Sequence, residues 1–410
     1  MENKPIHVAV IGGGGTGAAL AHDLTLRGFR VTLLERGALT SGTTGRHHGQ
    51  LHSGARYAVR DPAIARECIR ENEILRKIAP QAIEFNFGLF VALTREDEDY
   101  CSPFLAGCEG AGIRTRLLSA REALQLEPNL NPSLRFAVQV PDGTMDAFRL
   151  PLHFFATARH KGADFRTFSE VVGIEVEGSG VRRLRVRDHG SGSEYTLAVD
   201  AVVNAAGVWA GNVASLAGLN VPVSPSPGTM AAVKGRLVNM VISRLRPPGD
   251  GDAVVPQRNL SIIGTTETLS ENPDSPGEAT KEDVDRLFAC ADELIPGFSR
   301  APLHAAWSAA RPLAGAVDGG IGGEREPSTR ELSRDYVIHD HAARDGVQGM
   351  LTIAGGKATV LRAMAEAAAD RLCGMLGVSA ACSTASTPLL HYRLFFEARR
   401  IEDRHGRRTE

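Results

Sequence analysis

Three glycines and one glutamate near the N-terminus are the residues whose spacing first points to chemistry. Gly12, Gly14 and Gly17 fit G-x-G-x-x-G within the run GGGGTG, and Glu35 follows 23 positions after Gly12. In such a pattern one glycine makes a tight turn, one lets the backbone approach a pyrophosphate, and the third lets a helix pack closely on a strand. A carboxylate at the end of the next strand accepts hydrogen bonds from ribose hydroxyls, and its charge disfavours a 2′-phosphorylated cofactor. Dinucleotide binding is expected here.

These residues need a β-α-β unit to position them, and the flanking sequence supplies one. His7 to Ile11 is a short apolar run, helical spacing follows until Gly28, and Arg30 to Leu34 forms a second strand ending at Glu35. The logic recurs twice. The apolar run from Ala201 to Ala206 ends in Gly207, and that from Met350 to Ala354 ends in Gly355, Gly356 and Lys357 before a helix through Leu376. Each delivers small residues and free backbone N–H groups to a ligand edge. Between them, Asp61 and Pro62 mark a helix start, Ser119 and Glu122 a capping box, and Phe148 to Lys161 a longer helix. Strand-like pieces run over Gly88 to Leu93, from Val171 to Val199, and at Leu260 to Gly264 and Leu303 to Ala309, with a helix from Lys281 to Leu294. Without a long linker or repeat, the domains are expected to interleave.

Composition narrows the partners. The chain has 410 residues, 43% hydrophobic, with a formal net charge of -2, so a broad basic surface for nucleic acid is not expected. Its 44 glycines beside 5% aromatic residues suit many close backbone approaches. Cys68, Cys101, Cys108, Cys290, Cys373 and Cys382 form no C-x-x-C pair and no metal-ligand spacing with histidine, which reads as reduced cytoplasmic thiols and no metal. No secretory pattern opens the chain. The uncharged stretch Ala201 to Val233 holds Asn204, Pro222, Pro225 and Pro227, which speaks against a membrane-spanning helix. Arg399 to Glu410 is charge-dense and is expected to fray.

The loop after Glu35 carries a family resemblance. The run SGTTGRHHGQLHSGARYAVRDP closely resembles the FAD-dependent glycerol-3-phosphate dehydrogenases, in particular the catalytic A subunit of the anaerobic type. VPDGTMDAFRL, VVNAAGVWA, IIGTTE, ARPLAG, SRDYVIHDH and TIAGGKATVLRAMAE continue it, over about Val8 to Leu376. The resemblance implies a mixed α/β fold of the D-amino-acid oxidase or glutathione reductase type 2 superfamily: a Rossmann-like FAD-binding domain (1–85, 150–225 and 330–390), an antiparallel-sheet substrate domain (86–149 and 226–329), and a charged tail (391–410). The implied reaction oxidises sn-glycerol 3-phosphate to dihydroxyacetone phosphate, with hydride passing from C2 to flavin N5 and electrons to a quinone or a partner subunit. Peripheral attachment to the inner face of the cell membrane would fit a quinone.

Such a reaction needs a group for the hydroxyl proton, positive charge near the forming carbonyl, and cations around a phosphate dianion. The resemblance assigns His52 as base or hydroxyl orienter, Arg311 and Lys357 as catalytic, and Arg56, Tyr57 and Arg334 as substrate-binding. Cofactor contacts are expected from Gly12, Gly14, Thr16, Gly17, Glu35, Arg36, Thr43, Thr44, Gly49, Val172, Ala206, Gly207, Trp209, Gly356, Lys357, Ala358 and Thr359. His47 and His48 read as flavin-loop residues. The run GGKATVLR lacks the tyrosine-like residue usual for the family, and ARPL is reached through SAA rather than the usual aromatic-glycine-valine approach. The cysteine-rich extension of anaerobic A subunits is not seen before Glu410. The alternatives are a related oxidase or dehydrogenase of a 2-hydroxy acid or amine, whose carboxylate would also suit the arginines, and a non-catalytic flavin-binding subunit.

Overall fold

The computed structural model describes residues 5–267, 277–314 and 335–397. The elements that position the site are β1 (His7–Ile11), α1 (Gly15–Leu26), β2 (Arg30–Leu34), α2 (Pro62–Ile78), α3 (Arg149–His160), β3 (Asp164–Arg166), β4 (Ala201–Asn204), β5 (Val223–Lys234), β6 (Leu260–Gly264), β7 (Leu303–Ala314), β8 (Tyr336–Asp340), β9 (Met350–Gly355) and α4 (Leu361–Leu376).

β1 sits in the middle of a six-stranded sheet of order β8-β9-β4-β1-β2-β3. Its strands are parallel except for β8, which runs antiparallel to β9. Because side chains alternate across a strand, each residue of β1 belongs to a different layer from its neighbour. Val8 and Val10 enter a core with Leu20 and Leu24 of α1, Phe154 and Phe155 of α3, and Leu372 of α4. Ala9 and Ile11 enter another, with Ile174, Leu184 and Val186 of an antiparallel three-stranded sheet built from Ser169–Glu177, Gly180–Asp188 and Glu194–Ala198. Helices cover one face of the parallel sheet and a second sheet covers the other.

A separate eight-stranded sheet begins β7-β5-β6 and continues through Ala253–Gln257, Val241–Arg244, Gly88–Ala92, Phe136–Val140 and Arg116–Ser119. Its pairings are antiparallel except that of Val241–Arg244 with Gly88–Ala92. The helix Lys281–Leu294 closes one face, burying Leu287, Ala291 and Leu294 against Ala231, Val254 and Ile263. This mixed α/β architecture, with a Rossmann-like unit and a largely antiparallel second sheet, is the fold class the sequence led us to expect.

Local signals act where they were read. The Asp61 side chain accepts the Ile64 N–H with Pro62 in the first helical turn, and Ser119 and Glu122 make both bonds of a capping box. Two elements depart from the sequence reading. The uncharged stretch contains all but the last residue, Lys234, of the 12-residue strand β5, which tolerates Pro225 and Pro227 because that part pairs only with β7, whereas Met230 to Lys234 pair with β6 as well. Arg95–Gly110 forms a helix not anticipated from a segment containing Pro103; Thr94 caps it in a box with Asp97. Residues 391–397, counted with the tail in the sequence, pack back on the body: Phe395 is buried and its ring lies 5.6 Å from that of Phe165. Residues 398–410 lie outside the described residues.

Candidate active site

One cavity of about 960 Å³ runs from the C-terminal ends of β1, β2 and β4, past β9, to the inner face of β5 and β7. Its nucleotide end is built by backbone proximity. Gly12 has φ +109°, and a Cβ there would come within 2.6 Å of the Ala205 carbonyl oxygen. A Cβ at Gly17 would lie 1.9 Å from the Gly12 carbonyl oxygen, so only glycine lets α1 pack on the turn. Glu35 accepts the N–H of Gly13 at 2.6 Å and that of Gly37 at 2.7 Å, which fixes the carboxylate at the strand end. The Thr44 hydroxyl accepts the Gly15 N–H at 2.9 Å. Arg36 lies over the Trp209 ring at 4.3 Å. Asn204 holds the turn after β4 by accepting the Ala206 N–H and donating to the Ala210 carbonyl.

Gly17→Ala is therefore expected to push α1 off the turn and weaken FAD retention by roughly ten- to a hundred-fold. The flavin-to-protein ratio after desalting measures it, and an unchanged ratio would contradict this packing argument.

The other end gathers cations and rings. Arg311 on β7 donates to the Thr265 hydroxyl, to the Thr266 carbonyl at 3.3 Å and to the Ser226 carbonyl at 3.4 Å. A Cβ at Gly228 would sit 2.6 Å from its Nη2, so that glycine makes room for the guanidinium. Arg56 forms an ion pair with Asp252, a buried carboxylate that also accepts the Gly249 N–H. Lys357 places Nζ 5.1 Å from the centre of the Tyr57 ring, and Tyr57 lies 5.7 Å from the His52 ring.

Buried groups behind the wall fix the segment bearing His52. Its N–H donates to the Thr359 hydroxyl at 3.1 Å, and its carbonyl accepts from Asn72 of α2 at 3.1 Å. Asp142 accepts from Ser53 N–H and from the Gln50 side chain. Burial pushes the Asp142 carboxyl above its ordinary range, while those donors and Arg76 act in the opposite direction.

His52, Arg56, Tyr57, Arg311 and Lys357 all line the cavity, together with Gly12, Gly14, Thr16, Glu35, Arg36, Thr43, Thr44, Val172, Ala206, Gly207, Trp209, Gly356 and Ala358. Gly17, Gly49 and Thr359 are not on its wall. Gly17 supports the turn, Gly49 is packed against Gln257 and Met145, and Thr359 acts on His52 from behind. Arg334 lies outside the described residues. Of the residues that sequence reasoning passed over, Thr265 and Thr266 had a signal in the run IIGTTE, whereas Ser226, Gly228 and Asp252 had none.

FAD suits this donor set: the glycine cradle admits a pyrophosphate, Glu35 is held where a ribose edge would meet it, and positive φ at Gly355 and Gly356 (+88° each) presents backbone closely to the cavity.

The family described as FAD dependent oxidoreductase matches residues 7–362, so the chain belongs to the FAD-dependent oxidoreductases. The A subunit of the anaerobic glycerol-3-phosphate dehydrogenase of Escherichia coli (strain K12) is 42% identical over 389 residues, covering 95% of this chain and 70% of that protein. The A1 subunit of the enzyme of the same name from Haloferax volcanii is 43% identical, covering 95% of this chain and 67% of its own. Within the oxidoreductases the chain thus belongs to the family of FAD-dependent glycerol-3-phosphate dehydrogenases, on the side of the anaerobic A subunits. In architecture it is similar to the glycerol-3-phosphate dehydrogenase from Bacillus halodurans complexed with FAD, with a TM-score of 0.70 at 23% identity, over 99% of this chain and 74% of that one.

Proposed function

We propose that this chain oxidises sn-glycerol 3-phosphate to dihydroxyacetone phosphate and passes the electrons to a quinone or a partner subunit. The observation that carries the reading is the meeting of Arg56, Arg311 and Lys357 with His52 in the same cavity as the glycine turn. Bound there, FAD supplies the acceptor for the hydride that leaves C2. Arg311, with its guanidinium held by Thr265, Thr266 and Ser226, offers a pre-set fork to an anionic oxygen. Arg56 adds a second guanidinium, and Lys357 adds positive charge beside the glycine pair. His52, whose backbone is fixed from behind at both its N–H and its carbonyl, would orient the C2 hydroxyl and take its proton.

The two relatives are named as A subunits, which supports an electron-accepting partner. No helix among the described residues is long and apolar enough to cross a membrane. Access to a membrane quinone is therefore proposed through peripheral attachment or a partner.

Anaerobic addition of glycerol 3-phosphate to the FAD-loaded protein is expected to bleach the flavin, whereas 2-hydroxyglutarate is not. A flavin bleached by the hydroxy acid and untouched by glycerol 3-phosphate would overturn the substrate assignment.

A further inference from the structure

The loop between the glycine turn and His52 carries a pair of further imidazoles, His47 and His48, that the proposed reaction leaves unused. His47 Nδ1 accepts the Gly49 N–H at 3.0 Å, and His48 Nδ1 accepts the Gln50 N–H at 3.1 Å. A backbone amide can only donate, so each neutral ring carries its proton on Nε2, at the opposite edge. Burial lowers the His48 pKa to about 3, with His47, Arg56 and Arg311 pushing the same way, and lowers that of His47 to about 4. Both rings are therefore uncharged N–H donors at neutral pH.

Position distinguishes the two. Both line the cavity. The His48 ring lies 6.2 Å from that of His52, and His48 is the one on which the charges of Arg56 and Arg311 bear. A third cation there would repel the guanidinium groups, whereas a neutral N–H adds a directed bond without that cost. Phosphate, with three terminal oxygens, can accept from all three.

We propose that His48 is a substrate-binding residue whose Nε2–H completes, with Arg56 and Arg311, the site for the substrate's phosphate. This rests on the reading of a phosphorylated substrate given above. It assigns to His48 a role in recognition rather than in holding the flavin.

The test uses the FAD-loaded full chain with His48→Ala and His48→Gln. Inorganic phosphate is the probe, its affinity read from its perturbation of the oxidised flavin spectrum, so that no turnover is required. His48→Ala is expected to keep its FAD, to weaken phosphate binding and to raise the KM for glycerol 3-phosphate, each by roughly ten- to a hundred-fold. His48→Gln, which retains an N–H donor, should recover most of the loss. Unchanged phosphate affinity in His48→Ala, an equal defect in the Gln variant, or loss of FAD from both would overturn the proposal. Failure of glycerol 3-phosphate to bleach the unsubstituted protein would instead fall on the substrate reading.

Discussion

Arg311→Ala is expected to reduce the rate of flavin reduction by glycerol 3-phosphate by about a thousand-fold or more while leaving bound FAD in place. The magnitude follows from what the residue would do. One pre-organised donor to developing charge is worth about a hundred- to a thousand-fold, and a fork also anchors an anion. Pre-organisation is visible in the surroundings: the Thr265 hydroxyl and two carbonyls restrain the guanidinium, and Gly228 leaves space for it. Ser226 faces Arg311 across the β5–β7 pairing, and Thr265 and Thr266 follow directly on β6, so the socket joins sheet register to the segment that leaves the sheet beside it. Arg311→Lys would keep the charge and lose the fork, and should recover only part of the rate. Anaerobic stopped-flow reduction measures both variants. Near-normal reduction in Arg311→Ala, with its flavin retained, would remove Arg311 from the proposed chemistry.

The largest expected effect on stability lies behind the site. Arg362 at the start of α4 is 1% exposed and donates to Glu71 of α2 from two nitrogens, at 2.8 and 2.6 Å. It also reaches the Thr384 hydroxyl at 2.9 Å and Glu366 at 2.7 Å. Removing one member leaves the other charged or unpaired inside the protein, which costs about 3–5 kcal/mol. Arg362→Ala should therefore lower the denaturation midpoint sharply. Replacing both residues by apolar ones, as in Arg362→Met with Glu71→Leu, should restore much of it, because neither fully buried charge is then stranded and Glu366, partly exposed, keeps access to water. A single variant as stable as the unsubstituted protein would show that the pair contributes little. The location adds a functional consequence: α2 supplies Asn72 to the His52 carbonyl, and α4 follows closely on Lys357. This ion pair ties together the two segments that deliver those side chains.

The sequence was most informative where cause and effect are close along the chain. The turn at Gly12 to Gly17, the carboxylate of Glu35 and the caps at Asp61 and Ser119 each depend on atoms a few positions away or on one β-α-β unit. The resemblance led to His52, Arg56, Tyr57, Arg311 and Lys357, which meet in the cavity. The reasons they are held there were not legible. Asp252 lies 196 positions from Arg56, and Glu71 lies 291 from Arg362; a charge that will be buried looks like any other before the sheets form. The strand through Pro225 and Pro227 was hidden for a related reason, since local propensity argues against it and only its one-sided pairing permits it. Thr359 shows the converse: it lies in a motif associated with the flavin and instead bonds the backbone of His52.

One feature of β7 reaches beyond its own sheet. The strand that bears Arg311 also accepts the Thr43 hydroxyl at the Ala310 carbonyl, 2.6 Å away, and its Trp307 indole donates to the Arg46 carbonyl at 2.6 Å. The loop expected to meet the cofactor and the cation proposed to meet the substrate thus share one beam. Any free energy by which FAD steadies residues 43–46 is felt one residue from Arg311, and a substrate that steadies Arg311 pulls on the same loop. Linkage is reciprocal, so whatever coupling this strand carries acts on both occupants by the same amount.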